Sequence, residues 1–153
     1  MDRKIKEIEF SKLRFAYSAI KSFLEKESGE KVLTLKTKVE EDLSMLGDDS
    51  YELMVKFVEK FELEHQDFFF DKHFHSEGEL AQPEIVIFNL LALSIWLPLK
   101  TIELLTFNKL KIDKPKFQRP DREIQDMTFK DLLTWYLEGK YATEKDIKYM
   151  IAK

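Results

Sequence analysis

VEEDLSMLGDDSYELMVKFVEKFEL, Val39 to Leu63, is the stretch whose reading decides the fold. It runs from an acidic lead-in through Asp42-Leu43 and a Gly47 turn into a helical pattern. Met54, Phe57, Val58 and Phe61 fall at i, i+3, i+4 and i+7, one face of a helix. Asp49 and Glu52 form an Asp-x-x-Glu capping box, whose carboxylates accept first-turn N–H groups and complement the positive helix end. Glu52 precedes Lys56 by four residues, a favourable surface pair.

Working outward, Leu13, Ala16, Tyr17, Ile20, Phe23 and Leu24 predict an earlier helix, with Ser11 as its cap and Gly29 as its stop. The first ten residues carry no firm pattern. Residues 31–43 read as a loop ending in a short turn. Three consecutive Phe in HQDFFFDKHFHSEGEL read as a short buried extended piece or an inter-helix plug. Pro83 opens a further helix. From Ile85 to Leu97, eleven of thirteen residues are apolar, and Pro98 is expected to kink or end that helix. Leu99, Ile102, Leu105 and Leu110 predict a second apolar arm. Thr128-x-x-Asp131 starts a helix with Phe129, Leu132, Leu133, Tyr136 and Leu137 on one face and Gly139 as its stop. Thr143-x-x-Asp146 starts a last one.

The fold expected from this pattern is all-α, a helical bundle with an inserted apolar helical hairpin. It is read as one domain over residues 1–153, with a core at 11–80, the hairpin at 84–112 and closing helices at 126–153. A chain of 153 residues buries a core without staples, and it has no cysteine, hence no disulfide, thiol nucleophile or thiolate metal site. Its absence fits a cytoplasmic protein, and the start MDRKIKEIEF carries no secretory pattern. Net charge is −4, which argues against nucleic acid as a partner. Residues 1–83 hold 13 Lys+Arg against 19 Asp+Glu, whereas residues 84–153 hold 12 against 10, which suggests a join near Pro83.

The segment from Thr37 to Phe61 resembles the centre of acyl carrier proteins, an acidic Asp-Leu-Gly-x-Asp-Ser-Leu followed by an acid-rich helix. GDDSYEL at Gly47 to Leu53, TKVEEDL before it, FFFDKHFHSEGE and MTFKDLLTWYLEGKY bring the likeness closer to a small bacterial family, domain of unknown function fourteen-ninety-three. It covers residues 15–80 and 126–141. The resemblance implies a carrier-like bundle and a docking surface at the doorway, formed by Asp42, Asp48, Asp49, Glu52 and Lys56. Laid without gaps, the serine that bears phosphopantetheine in carriers falls on Gly47, which cannot accept a phosphodiester. Ser50 lies three residues later and is the alternative site of modification. No cofactor is expected.

His73 and His75, with Asp71, Glu77 and Glu79, fall short of a fixed third metal ligand, and the loop reads as polar and partly exposed. No phosphate loop, Gly-x-Ser-x-Gly or His-Glu-x-x-His is present, so an enzyme is not expected. Residues 85–99 span only ~22 Å as a helix, against a hydrocarbon thickness of ~30 Å. The reading first in line is a buried central helix; an oligomer face and a membrane-surface hairpin compete with it. In the membrane reading Trp96, Lys109, Lys111, Lys114, Lys116 and Arg119 contact lipid, and the protein is peripheral at the inner face of the membrane. The function expected is a non-enzymatic, arm-less carrier-like module that binds a protein partner. The alternatives are a peripheral membrane protein anchored by residues 84–112 and a carrier modified on Ser50.

Overall fold

The apolar spacing that follows the doorway makes α2, Asp48–Phe61, which buries Leu53, Met54 and Phe57. The earlier helix, α1, spans Phe10–Ser28 and buries Ala16, Ile20, Phe23 and Leu24; Gly29 ends it at φ 72°, where a missing Cβ removes the steric penalty. The computed structural model describes residues 3–106, 112–113, 115, 117–118 and 120–152. Between α2 and the last helix lie a short helix α3, Glu77–Leu80, and a long one, α4, Pro83–Leu105. The last helix, α5, spans Phe129–Glu138, opens on a full capping box between Thr128 and Asp131, and stops at Gly139.

By its contacts the chain divides into two units, one built from residues up to Phe74 and from Ile124 onward, the other from His75 to Glu123. In the first unit α1, α2 and α5 meet through rings. Phe23 lies 5.8 Å from Phe57, Phe57 lies 5.7 Å from Trp135, and Phe61 lies 5.1 Å from Tyr136, each pair tilted or edge-on. Trp135 is fully buried, and its indole N–H donates to Glu64 O at 3.0 Å. Loop 37–43 is zipped to the approach to α5. Phe129 N–H donates to Thr37 O at 2.7 Å, and Val39 N–H donates to Met127 O at 2.9 Å.

The expectation of an all-α chain is overturned by a two-stranded parallel sheet. β1, Lys4–Ile8, pairs with β2, Ile147–Ile151, in the register Lys4 to Ile147 through Ile8 to Ile151, so the fold is mixed α and β. Both strands alternate: Lys6 and Ile8 point inward on β1, as do Ile147 and Tyr149 on β2. The Thr143/Asp146 box does form, with Thr143 N–H and Oγ1 each 2.8 Å from Asp146 Oδ2. It closes a single turn, and Ile147 then leaves it as a strand, where β-branched and aromatic residues fit. Tyr149 Oη donates to Glu138 Oε1 at 2.7 Å, which ties the sheet to the end of α5.

Three local expectations also change. α1 begins at Phe10 with Glu9 as its N-cap, so Ser11 lies inside the first turn. The Asp49/Glu52 box does not form. Gly47 is the N-cap of α2 at φ 54°, ψ −121°, without a side-chain cap hydrogen bond. Pro98 does not end its helix, and no second helical arm stands among the described residues; Leu110 lies outside them. On either side of Pro98, Trp96 and Glu103 each bond to the backbone of the returning chain, at Asp113 and Ile112.

Candidate functional site

In the second unit α4 is apolar on nearly every side and almost bare. Along its 23 residues only Ile85 and Glu103 are buried. The reading of this segment as a buried central helix is therefore overturned. Ile87, Leu90, Leu91, Ile95, Leu97, Leu104 and Leu105 are all more than half exposed. Three of its polar groups share one stripe. Asn89, Trp96 and Glu103 follow one another in seven-residue steps, which a helix of 3.6 residues per turn places nearly in line.

Each of the three holds the backbone of the returning chain. Asn89 donates to Gln118 O at 3.1 Å and accepts from Gln118 N–H at 2.7 Å. The Trp96 indole N–H donates to Asp113 O at 3.0 Å. Glu103 accepts from Ile112 N–H at 2.8 Å and from Lys100 at 2.9 Å. Among the described residues, Ile112, Asp113 and Gln118 thus act as a strap, antiparallel to α4 and tied to it at three points. The opposite side carries two hydroxyls, and both are satisfied within the helix: Ser94 donates to Leu91 O at 2.8 Å and Thr101 to Pro98 O at 2.6 Å. Of the membrane-contact residues expected from sequence, Trp96 lies on the strap stripe, while Lys109, Lys111, Lys114, Lys116 and Arg119 lie outside the described residues.

At the doorway Asp48 and Asp49 are exposed in the first turn of α2, where negative charge complements the helix dipole. Lys56 bridges Glu52 at 2.8 Å and Glu27 at 3.2 Å, and these carboxylates hold its ammonium above the usual lysine range. Asp42 accepts from Lys38 N–H at 2.8 Å and borders a cleft of about 740 Å3 with Lys31, Thr34 and Thr37. Ser50 is 0% exposed; its hydroxyl turns back and donates to Gly47 O at 2.7 Å. Gly47 is buried at a backbone angle that side-chain-bearing residues rarely adopt.

Sequence reading missed the residue that holds the doorway loop. Asp126 accepts from Glu40 N–H at 3.1 Å and from Glu41 N–H at 2.9 Å. Burial pushes its carboxyl up to about 6, against the two N–H groups, which pull it down. Nothing in the local pattern around Asp126 marks this, because its partners lie some eighty positions earlier.

The histidine loop is not exposed: His73 and His75 are 5% and 3% exposed. Gln125 O can only accept, so His73 Nδ1 donates to it at 2.6 Å and Nε2 accepts from Tyr141 Oη at 2.6 Å. Burial lowers the His73 pKa and raises that of Tyr141 to about 12. His75 Nε2 donates to Arg122 O at 3.0 Å. The two rings thus serve different partners. Glu79, read beside them, instead caps α3 with Ser76 and pairs with Arg122 at 2.5 and 2.8 Å. Among the described residues no group of three His, Asp or Glu is placed to hold a metal.

The family model described as protein of unknown function (DUF1493) matches residues 5–85, just over half of the chain. The chain belongs to this family. No curated protein and no solved structure matches it. The DUF1493 match takes in β1, α1, the doorway and α2, and it ends as α4 begins. The strap and the bare length of α4 lie beyond it.

Proposed function

We propose that the protein is a non-enzymatic peripheral membrane protein whose helix-and-strap unit contacts a lipid surface. The observation that carries this reading is α4: 23 residues, apolar around most of its circumference, with large side chains facing outward. A protein partner covers one stripe of a helix, whereas a bilayer accepts a broad apolar arc. A contiguous exposed apolar patch of this size is rare on a soluble monomer. Flotation with phospholipid vesicles tests the reading. The protein is expected to rise with the vesicles; a protein that stays in the dense fraction with every lipid composition overturns it.

The first unit is proposed to work without phosphopantetheine. Gly47 offers no hydroxyl, and the buried Ser50 hydroxyl is engaged with Gly47 O, both of which support an arm-less doorway. Intact mass after co-expression with a phosphopantetheinyl transferase is expected to be unchanged. A protein partner at the doorway is a second reading, favoured by exposed Tyr51 and Val55 beside Asp48, Asp49 and Glu52. If a folded Asp48→Lys, Asp49→Lys variant captures partners as the wild type does, that surface is the wrong one.

A further inference from the structure

We propose that α4 lies flat in the interface of an anionic membrane rather than crossing it, with the strap facing the headgroups. This rests on the reading of α4 as a lipid-contact helix. Length alone permits crossing: 23 residues rise ~34 Å, more than the ~30 Å of hydrocarbon. The strap forbids it. Its backbone is hydrogen-bonded to α4 at Glu103, Trp96 and Asn89, so it accompanies the helix for ~21 Å. A crossing α4 would carry the backbone at Ile112, Asp113 and Gln118, and the charge of Asp113, into hydrocarbon. Irregular backbone exposed to lipid is not tolerated there, because its polar groups find no partner. Since the ties recur along most of the helix, no part of that length can sink while the rest stays at the surface. The whole length therefore rests at one depth.

The sides of α4 fit this placement. The polar stripe and the strap point one way. Ile87, Leu91 and Leu105 point the other way, Leu90 and Leu97 lie on the flank, and the two hydroxyls on that side are already satisfied. Trp96, apolar in body and polar at its N–H, sits on the strap stripe, at headgroup level, where tryptophan is favoured. Charge names the lipid. Residues 107–122 hold six Lys and Arg against Asp113 and Asp121, a balance that attracts the phosphates of anionic phospholipids.

The chain has no cysteine, so single substitutions Ile87→Cys, Ser94→Cys and Leu105→Cys each place one nitroxide label. All three positions are exposed and lie on the side opposite the strap. On vesicles containing phosphatidylglycerol, the accessibility of each label to oxygen and to a polar nickel chelate reports its depth. A flat helix gives three equal depths, about 5–10 Å below the phosphates. A crossing helix puts Ser94→Cys deepest and the other two near opposite surfaces, and overturns the orientation while leaving lipid contact intact. Binding that is equal on zwitterionic and anionic vesicles, and insensitive to salt, overturns the role of the basic residues between 107 and 122. No flotation, with spin–spin broadening between copies in water, overturns both readings and gives the face to a second copy of the chain.

Discussion

The two units put their large apolar side chains in opposite places. In the first, Phe23, Phe57, Phe129, Leu132 and Trp135 are buried and touch one another. In the second, a helix of higher hydropathy leaves Ile87, Leu90, Leu97 and Leu105 in the open. Apolar burial contributes ~25 cal/mol per Å2, so the first unit holds its stability inside itself. The second has left most of its apolar area for something else to cover. Composition does not separate the two regions by role; the polar ties do. Trp135 and His73 bond inward to the backbone of their own core, while Asn89, Trp96 and Glu103 each hold the strap on one side of α4.

The sharpest way to break this contrast is to truncate one apolar side chain in each unit. Trp135→Ala removes a fully buried ring and is expected to cost about 3–5 kcal/mol, whereas Leu90→Ala is expected to stay within about 0.5 kcal/mol. Urea midpoints measure both. Equal losses would mean that α4 is covered by the protein itself.

A second difference is electrostatic and has opposite signs at two carboxylates, Asp126 in the first unit and Glu79 in the second. Asp126 has a folded pKa of about 6, above its unfolded value near 3.8. Its contribution is therefore fully present below about pH 4 and lost as pH rises through 6, amounting to about 3 kcal/mol. Stability followed from pH 4 to 7 is expected to fall by this component, and Asp126→Asn is expected to flatten the slope. A wild-type slope unchanged by Asp126→Asn would remove the carboxyl from the account.

Gly47→Ser sharpens the doorway half of the comparison. A side chain at φ 54°, ψ −121° is strained, with an expected cost of about 1–2 kcal/mol. A Gly47→Ser variant as stable as the wild type would show that the turn accepts a serine after all. The smallest effect belongs to the second unit. Arg122 holds Glu79 down at about 2, so this pair contributes above pH 4 and is lost as pH falls toward 2. Arg122→Gln is expected to raise the Glu79 pKa toward the ordinary range in a titration followed by NMR, at a stability cost below about 1 kcal/mol, since the pair is exposed.

The helices of the first unit were legible because their patterns are local. The faces of α1, α2 and α5 follow 3.6-residue spacing, and the Gly29 and Gly139 stops and the Thr128 box all form. The sheet was not legible, because strands of five residues at opposite ends of the chain recognise each other only in the folded protein. The Thr143/Asp146 box misled because the same hydrogen bonds close a lone turn and open a helix. At the doorway the acidic residues do sit in the first turn of α2, but the cap belongs to glycine. The strap left one readable trace: Asn89, Trp96 and Glu103 are regularly spaced in an apolar run. Their partners between residues 112 and 118 have no pattern of their own.

The central claim is that the open side of α4 meets lipid and is not part of a core. A doubly substituted protein, Leu90→Glu with Leu97→Glu, tests it most directly when its thermal melt and its flotation with phosphatidylglycerol vesicles are measured side by side with wild type. The expected result is an unchanged melt and lost flotation. A lowered melt, or flotation equal to wild type, would contradict the claim.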